Sequence, residues 1–366
     1  MNIPQATIST AACKAFGRTN ALARVIVLSL LGSGSAVAQD IPGLTGAYIG
    51  NGRPCTATAD ITLRACSSEV TDDFYKENAI CTNESDALDR NECFADATSA
   101  QRTESTVCSA QHAARIELCG RLGETRYDPE FEEELFESEF DPLITRNPWF
   151  PLQIGNIQKF EGDETIEIEV LEQTRNVDDI TCITVRDRVF EDGVLVEDTD
   201  DWYAQALDGS VWYCGEQVKD YELTDGDDPA TPELVSIDGS FKHDREGDKA
   251  GIQFLSHPMS GDIYRQEFSI GNAEDVGEVL TATYTYGLNA DLDRYVPADL
   301  ARLLCQGNCV VIHEFSPMSP GGNERKYYAR GIGQFFGVNV NSGDAVQLTE
   351  CNYDARCDSL PEVQAR

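Results

Sequence analysis

Two spacings of apolar residues run along the chain, and the change between them falls near residue 147. Residues 55–123 are rich in Ala, Glu, Arg and Asp, hold no proline and lack strand alternation, which predicts two or three helices. From residue 147 a period of two takes over. Thr165-Ile166-Glu167-Ile168-Glu169-Val170 alternates without fault, as a half-buried strand does. Residues 181–190 read as another strand, Glu191-Asp192-Gly193 as a turn, and Val194-Leu195-Val196 as the return. Trp202-Tyr203-Ala204-Gln205 precedes a second turn at Asp208-Gly209, and residues 211–218 run back. Further strands are predicted over 235–241, 263–270, 278–286, 309–315, 324–330, 333–340 and 345–350. Only 296–305 looks helical there, with Pro297 near its start and Leu300, Leu303 and Leu304 at helical spacing. So many strands without alternating helices predict an α+β chain: a small disulfide-stapled helical module, then a large curved antiparallel β-sheet or half-barrel.

The ends and the join complete the organisation. Residues 1–38 read as a secretory signal. Lys14, Arg18 and Arg24 are its basic residues, Val25–Leu31 its apolar core, and Ala36-Val37-Ala38 its cleavage site. That core is short of the ~20 residues a spanning helix needs. Gln39, not Cys, follows the cut, so the expectation is a periplasmic or secreted chain with no lipid anchor and no membrane span. Residues 39–54, Gly- and Pro-rich, join the helical module to give 39–123. Residues 124–146 form an acidic linker in which Phe131, Leu135, Phe136 and Phe140 interleave with glutamates; it either docks on a neighbouring domain or stays solvated. The β domain is expected over 147–357, with a tail at 358–366.

Cysteine usage supports export. Cys13 leaves with the signal, and the other twelve divide six and six. Cys55, Cys66, Cys81, Cys93, Cys108 and Cys119 lie in the helical module; Cys182, Cys214, Cys305, Cys309, Cys351 and Cys357 lie in the β domain. An even set in an exported chain reads as disulfides, and the spacings of a zinc site are missing. The first six are spaced 11, 15, 12, 15 and 11 apart, a palindrome. Eleven positions return to within ~20° of the same helix face, which suits a stapled helical hairpin. The pairing itself is not legible, since six cysteines allow 15 connectivities.

Three stretches carry a resemblance. They are Asn147-Pro148-Trp149-Phe150-Pro151-Leu152 with Gly155 and Phe160-Glu161-Gly162; Asp201-Trp202-Tyr203-Ala204-Gln205 with Val211-Trp212-Tyr213; and Lys326-Tyr327-Tyr328-Ala329 with Gly331-Ile332-Gly333. Over residues 147–350 the chain resembles a widespread group of uncharacterised exported bacterial proteins and lipoproteins with this order of motifs. The resemblance implies a half-barrel shaped like that of lipoprotein carriers. It brings no functional residues with it.

Charge narrows the partners. The chain holds 64 acidic against 28 basic residues, a net charge of −36; taking away the three basic charges of the leader leaves −39. Such a surface repels nucleic acid and anionic lipid and attracts cations and basic partners. Acidic clusters supply oxygen ligands at Asp225, Asp227 and Asp228, at Asn289, Asp291 and Asp293, and across Glu197-Asp198-Thr199-Asp200-Asp201, so calcium is the one cofactor considered. None follows the twelve-residue EF-hand pattern.

Catalytic motifs are sparse. His112, His243, His257 and His313 are scattered, His313-Glu314 does not continue into a zinc-protease motif, and no G-x-S-x-G elbow follows the leader. The carboxylates Glu267, Glu274, Asp275 and Glu278 with Arg265 are the candidate acid–base set. Strand alternation would place Arg265 and Glu267 together on one face. Trp202, Tyr203, Trp212, Tyr213, Tyr327 and Tyr328 are the candidate lining of a ligand cup. The preferred reading is an exported envelope protein that binds a small or apolar ligand or a cation rather than catalysing. A carboxylate-using hydrolase, and a scaffold docking a partner protein through the helical module, are the alternatives.

Overall fold

The computed structural model describes residues 52–141, 143, 146–224, 226 and 230–363. The expected leader and the candidate ligands Asp225, Asp227 and Asp228 lie outside the described residues. The chain divides into two compact units between Arg126 and Tyr127.

The first unit is a helical hairpin. Helix α1 (Pro54–Thr82) begins on a proline, whose missing N–H costs nothing at a helix start. Helix α2 (Ala87–Leu122) begins at Asp86, whose carboxylate accepts from the backbone N–H of Leu88 and Asp89. Gly123 ends it at φ +90°. Three disulfides run up the hairpin: Cys81–Cys93 near the turn, Cys66–Cys108 in the middle and Cys55–Cys119 at the open end. The palindrome is thus two equal series of intervals read in opposite directions by antiparallel helices. Besides those cysteines, the buried apolar side chains here are Ala59, Ala97 and Leu118. The small residues let the helices approach, and covalent staples stand in for the core that so short a segment cannot build.

The second unit is β-rich. Its strands are β1 (Ile157–Gly162), β2 (Thr165–Val177), β3 (Ile180–Glu191), β4 (Val194–Gln205), β5 (Val211–Gln217), β6 (Asp220–Glu222), β7 (Glu233–Ser236), β8 (Phe241–Lys242), β9 (Lys249–Phe254), β10 (Ile263–Arg265), β11 (Glu267–Phe268), β12 (Val276–Thr285), β13 (Gln306–Phe315), β14 (Glu324–Ala329), β15 (Gly333–Asn339) and β16 (Ala345–Cys351). They form one antiparallel sheet in the order β10-β12-β13-β14-β15-β16-β1-β2-β3-β4-β5-β9-β11, with β6 to β8 off this path. Its two ends, β10 and β11, are consecutive pieces of one segment. That segment pairs with β12 through Ile263–Arg265 and with β9 through Glu267–Phe268. The sheet is therefore nearly closed on itself, which satisfies edges that would otherwise be open. Gly251 on β9 permits the closure, because a Cβ there would run into the backbone carbonyl of Gln266.

Three apolar clusters fill this unit. One gathers Phe160, Tyr284, Tyr327 and Phe335 under the short helices α3 (Ala290–Asp293) and α4 (Ala298–Leu304). A second gathers Ile183, Val185, Tyr203, Tyr213, Phe254, Ile312 and Tyr328. The third gathers Phe131, Phe136, Val177, Trp202 and Cys214. Cys182–Cys214 joins β3 and β5, the two neighbours of β4, with Cα atoms 6.7 Å apart. Two strand spacings in a flat sheet would be about 9.5 Å, so the sheet bends sharply around β4. Cys305–Cys309 and Cys351–Cys357 pin short loops.

Several expectations change. Residues 235–241 are not one strand, because a turn at Ile237–Ser240 separates β7 from β8. Residues 263–270 break at Gln266, where the segment changes partner. Helix α3 falls where only an acidic loop was read. Phe131, Phe136 and Phe140 are buried within the β unit, so the acidic segment from Tyr127 belongs to it rather than forming a free linker, while Leu135 stays exposed.

If the staples replace a core, removing the middle one should cost the hairpin dearly. The double variant Cys66→Ser with Cys108→Ser is expected to destabilise the helical unit by about 2–4 kcal/mol. Loss of helical circular dichroism at lower temperature than in the unmodified chain would show it; an unchanged melting curve would contradict it.

Candidate functional site

The face that carries the second cluster does not stay apolar along its length. On β3 the inward series Ile183, Val185 continues to Asp187; on β13 Val310 and Ile312 continue to Glu314; on β14 Tyr328 is preceded by Lys326. Polar side chains thus occupy positions that strand alternation assigns to the interior. With Asp201 and Tyr203 from β4, Tyr213 from β5, Gln253 from β9, Gln266, Glu267 and Asp275, they line a cavity of about 60 Å³. Gln253 and Asp275 are half-buried, and the other lining residues are buried. A polar cavity of this size has room for a few water-sized groups.

The closing segment aims Gln266 and Glu267 into the cavity. Both of their backbone N–H groups donate to the Asp275 carbonyl, at 2.8 and 3.3 Å, so alternation is broken there. Glu314 is well satisfied: Lys326 Nζ lies 2.5 Å from Oε2, while Gln266 Nε2 and the Tyr328 hydroxyl donate to Oε1 at 3.0 and 3.3 Å. The Tyr213 hydroxyl donates to Asp201 Oδ1, and the ring stacks on Tyr203 at 4.8 Å. Two oxygens have no hydrogen-bond partner, Asp187 Oδ1 and Glu267 Oε2.

Five carboxylates face one ammonium here. Burial, reinforced by Asp201 and Glu197, pushes Asp187 well above the usual carboxylate range. Burial, with Asp275, Asp201 and Glu314, does the same to Glu267. Asp201 is raised by burial to about 7 although the Tyr213 hydrogen bond opposes the shift. Asp275 is raised by burial to about 6 against a hydrogen bond from Ser316. Beyond the cavity, burial also raises Glu324 to about 7 and Glu164 to about 8. Burial pulls the Lys326 ammonium down, but Glu314 and Glu324 outweigh it and hold the group charged.

Of the candidate acid–base set, only Glu267 and Asp275 reach the cavity. Arg265 lies over the rings of Phe268 and Tyr127, at 4.8 and 5.6 Å, because the change of strand partner at Gln266 separates it from Glu267. Glu274 accepts from the Gly271 backbone N–H at 2.8 Å, and Glu278 lies 3.4 Å from His313. The candidate aromatic cup is divided among the clusters. Tyr203 and Tyr213 line the cavity and Tyr328 touches Glu314, but Tyr327 donates to the Leu292 carbonyl under α3. Trp202 lies beneath Arg175, and Trp212 packs on Phe131 and Phe136.

The acidic loop at Asn289 spends its oxygens on structure. Asn289 caps α3, Asp291 pairs with Arg325 at 3.0 Å, and Asp293 accepts from Tyr284 and from the Gly287 N–H. In the third acidic run, Asp198 takes both arms of the Arg186 fork. Among the described residues no three His, Cys, Asp or Glu side chains converge into a metal cage. His112 pairs with Asp60 at 2.8 Å in the hairpin, and His243 accepts from the Ala250 N–H.

Asp187, Gln253, Gln266, Glu314 and Lys326 were missed as site residues, and Asp201 was read only as one of an acidic run of calcium ligands. The signal that could have found most of them is a charged residue at an inward position of an apolar series. In so acidic a chain such interruptions are common, and only tertiary structure shows these to converge.

No family model matches the chain, and no curated protein matches it. One solved structure from Parabacteroides distasonis ATCC 8503, whose printed description is "putative lipoprotein", aligns over 57% of this chain and 99% of its own at 10% identity, with a TM-score of 0.27. That likeness carries no argument. Two observations bear on location: the twelve described cysteines are all in disulfides, as in a chain folded in an oxidising compartment, and no described helix is long and apolar enough to cross a membrane.

Two outcomes follow from this interior. A carboxyl whose pKa is higher folded than unfolded binds its proton more tightly when folded, so its stabilisation is full below about pH 4 and is lost as pH rises through the folded value. His243, held below its usual pKa by burial, opposes this, while the lowered carboxyls Glu124, Asp198 and Asp354 act below this range. Thermal stability should therefore fall from pH 5 to pH 8, and Asp201→Asn with Glu267→Gln should flatten the profile; a midpoint that rises over this range would refute the reading. Separately, Lys326→Met leaves Glu314 buried without its ammonium and should cost about 3–5 kcal/mol in chemical denaturation at pH 8.

Proposed function

We propose that this is an exported binding protein whose β unit takes a small cation into its acidic interior. The observation that carries the reading is the cavity of about 60 Å³ in which five carboxylates face one ammonium, with Asp187 Oδ1 and Glu267 Oε2 unpartnered. Uncompensated buried carboxylates are costly unless protonated or paired, and a bound cation would supply the pairing. Apolar ligands fit this lining poorly. A hydrolase would find carboxyls with raised pKa values here, as general acids require. Its substrate would need far more room, since small-molecule sites run to about 300–1,000 Å³. The reading places the protein outside the inner membrane, released from Gln39, in keeping with its signal-like leader and its disulfides.

Calorimetry on the purified full chain would test it with calcium, magnesium, potassium, ammonium and methylammonium chlorides at matched ionic strength. At least one cation should bind at one per chain, and the double variant Asp187→Asn with Glu267→Gln should weaken it tenfold or more. No uptake of any of them at millimolar concentration would overturn the proposal.

A further inference from the structure

We infer that the cation is a compact protonated amine, an ammonium or a short primary alkylammonium, seated between Asp187 and Glu267 rather than a metal ion. This deepens the proposed cation-binding function and rests on it.

The lining determines what a ligand must bring. Three of its donor groups are engaged within the wall: Lys326 with Glu314 and Glu324, Gln266 Nε2 with Glu314, and the Tyr213 hydroxyl with Asp201. Among the lining residues, the buried oxygens without a hydrogen-bond partner are Asp187 Oδ1 and Glu267 Oε2, both acceptors when ionised. Their side chains belong to residues only 8% and 6% exposed, so bulk water does not readily replace a ligand there. Binding releases to solvent the proton that burial holds on Asp187 and Glu267; the carboxylate so ionised only accepts, and a primary ammonium only donates, with three N–H groups on one charge. Ligand and wall are complementary in both charge and hydrogen bonding.

A metal ion meets a different test. Calcium takes six to eight oxygens at about 2.3–2.6 Å, and magnesium demands near-octahedral geometry. The described carboxylates do not converge into such a cage. Glu314 and Asp201 already spend oxygens on Lys326, Gln266, Tyr328 and Tyr213. An ammonium needs only two or three acceptors. The stacked Tyr203 and Tyr213 rings in the wall also suit an alkylammonium, since aromatic surface attracts organic cations and accepts a methyl or ethyl stem. The interior already stabilises one ammonium, that of Lys326, against the cost of burial.

The test is calorimetry at pH 7 with ammonium, methylammonium and ethylammonium chlorides, against calcium and magnesium chlorides. Tetramethylammonium, which has no N–H, is the control ligand. The proteins are the full chain, Asp187→Asn, Glu267→Gln and Asp291→Asn, each checked for folding by its thermal midpoint. Methylammonium should bind at one per chain, tenfold or more weakly in Asp187→Asn and in Glu267→Gln, and unchanged in Asp291→Asn; tetramethylammonium should not bind. Amine binding that ignores both cavity variants would overturn the seat. Calcium or magnesium binding lost in those variants, with no amine binding, would overturn the inference and leave the cation-binding function standing. Binding of no cation would overturn both.

Discussion

The β unit depends on one segment of chain satisfying two sheet edges. Ile263–Arg265 completes β12 and Glu267–Phe268 completes β9, so six consecutive residues turn a long curved sheet into a nearly closed one. An unpaired edge would expose a ladder of N–H and C=O groups. Closure instead makes an inside, and it does so at Gln266, where the change of partner breaks alternation and turns two polar side chains inward. The glycine that lets the strands meet, Gly251, and the cavity that results are consequences of the same crossing.

Once there is an inside, its polarity must be explained. Replacing buried ionic groups by apolar ones of similar volume often leaves a protein as stable or more so. An interior with Asp187, Asp201, Glu267, Asp275 and Glu314 around a single Lys326 therefore costs stability. Local pairing meets part of that cost: Lys326, Gln266 and Tyr328 all serve Glu314, and Tyr213 serves Asp201. Raised proton affinity meets another part. Two oxygens are left over, and the proposed ligand chemistry follows from them rather than from acidity as such. Acidity elsewhere on the chain has ordinary structural uses, as at Asn289, Asp291 and Asp293.

The helical unit solves the opposite problem. It has little core to speak of, and Ala59, Ala97 and Leu118 cannot hold two helices of this length together by apolar burial alone. The three disulfides supply the constraint covalently, at intervals the helical repeat keeps on one face. Stability in this unit is thus tied to the redox state of its surroundings, whereas in the β unit it is tied to proton and charge balance.

The sequence by itself determined the class of each unit, because local periodicity and cysteine spacing are written in neighbouring residues. The helix-to-strand change, the stapled hairpin and most strands, such as Thr165–Val170, were legible for that reason. The palindrome of cysteine intervals pointed to the hairpin, although which cysteine met which waited on the helices being placed. The site was barely legible. Glu267 and Asp275 were picked out for their density of charge, but Arg265, Glu274 and Glu278 shared that density and face elsewhere. Asp187 and Lys326 are 139 residues apart in a chain with 64 acidic residues, and nothing local marks either as interior. Closure of the sheet decided that they meet, and closure is a long-range pairing that no short window of sequence contains.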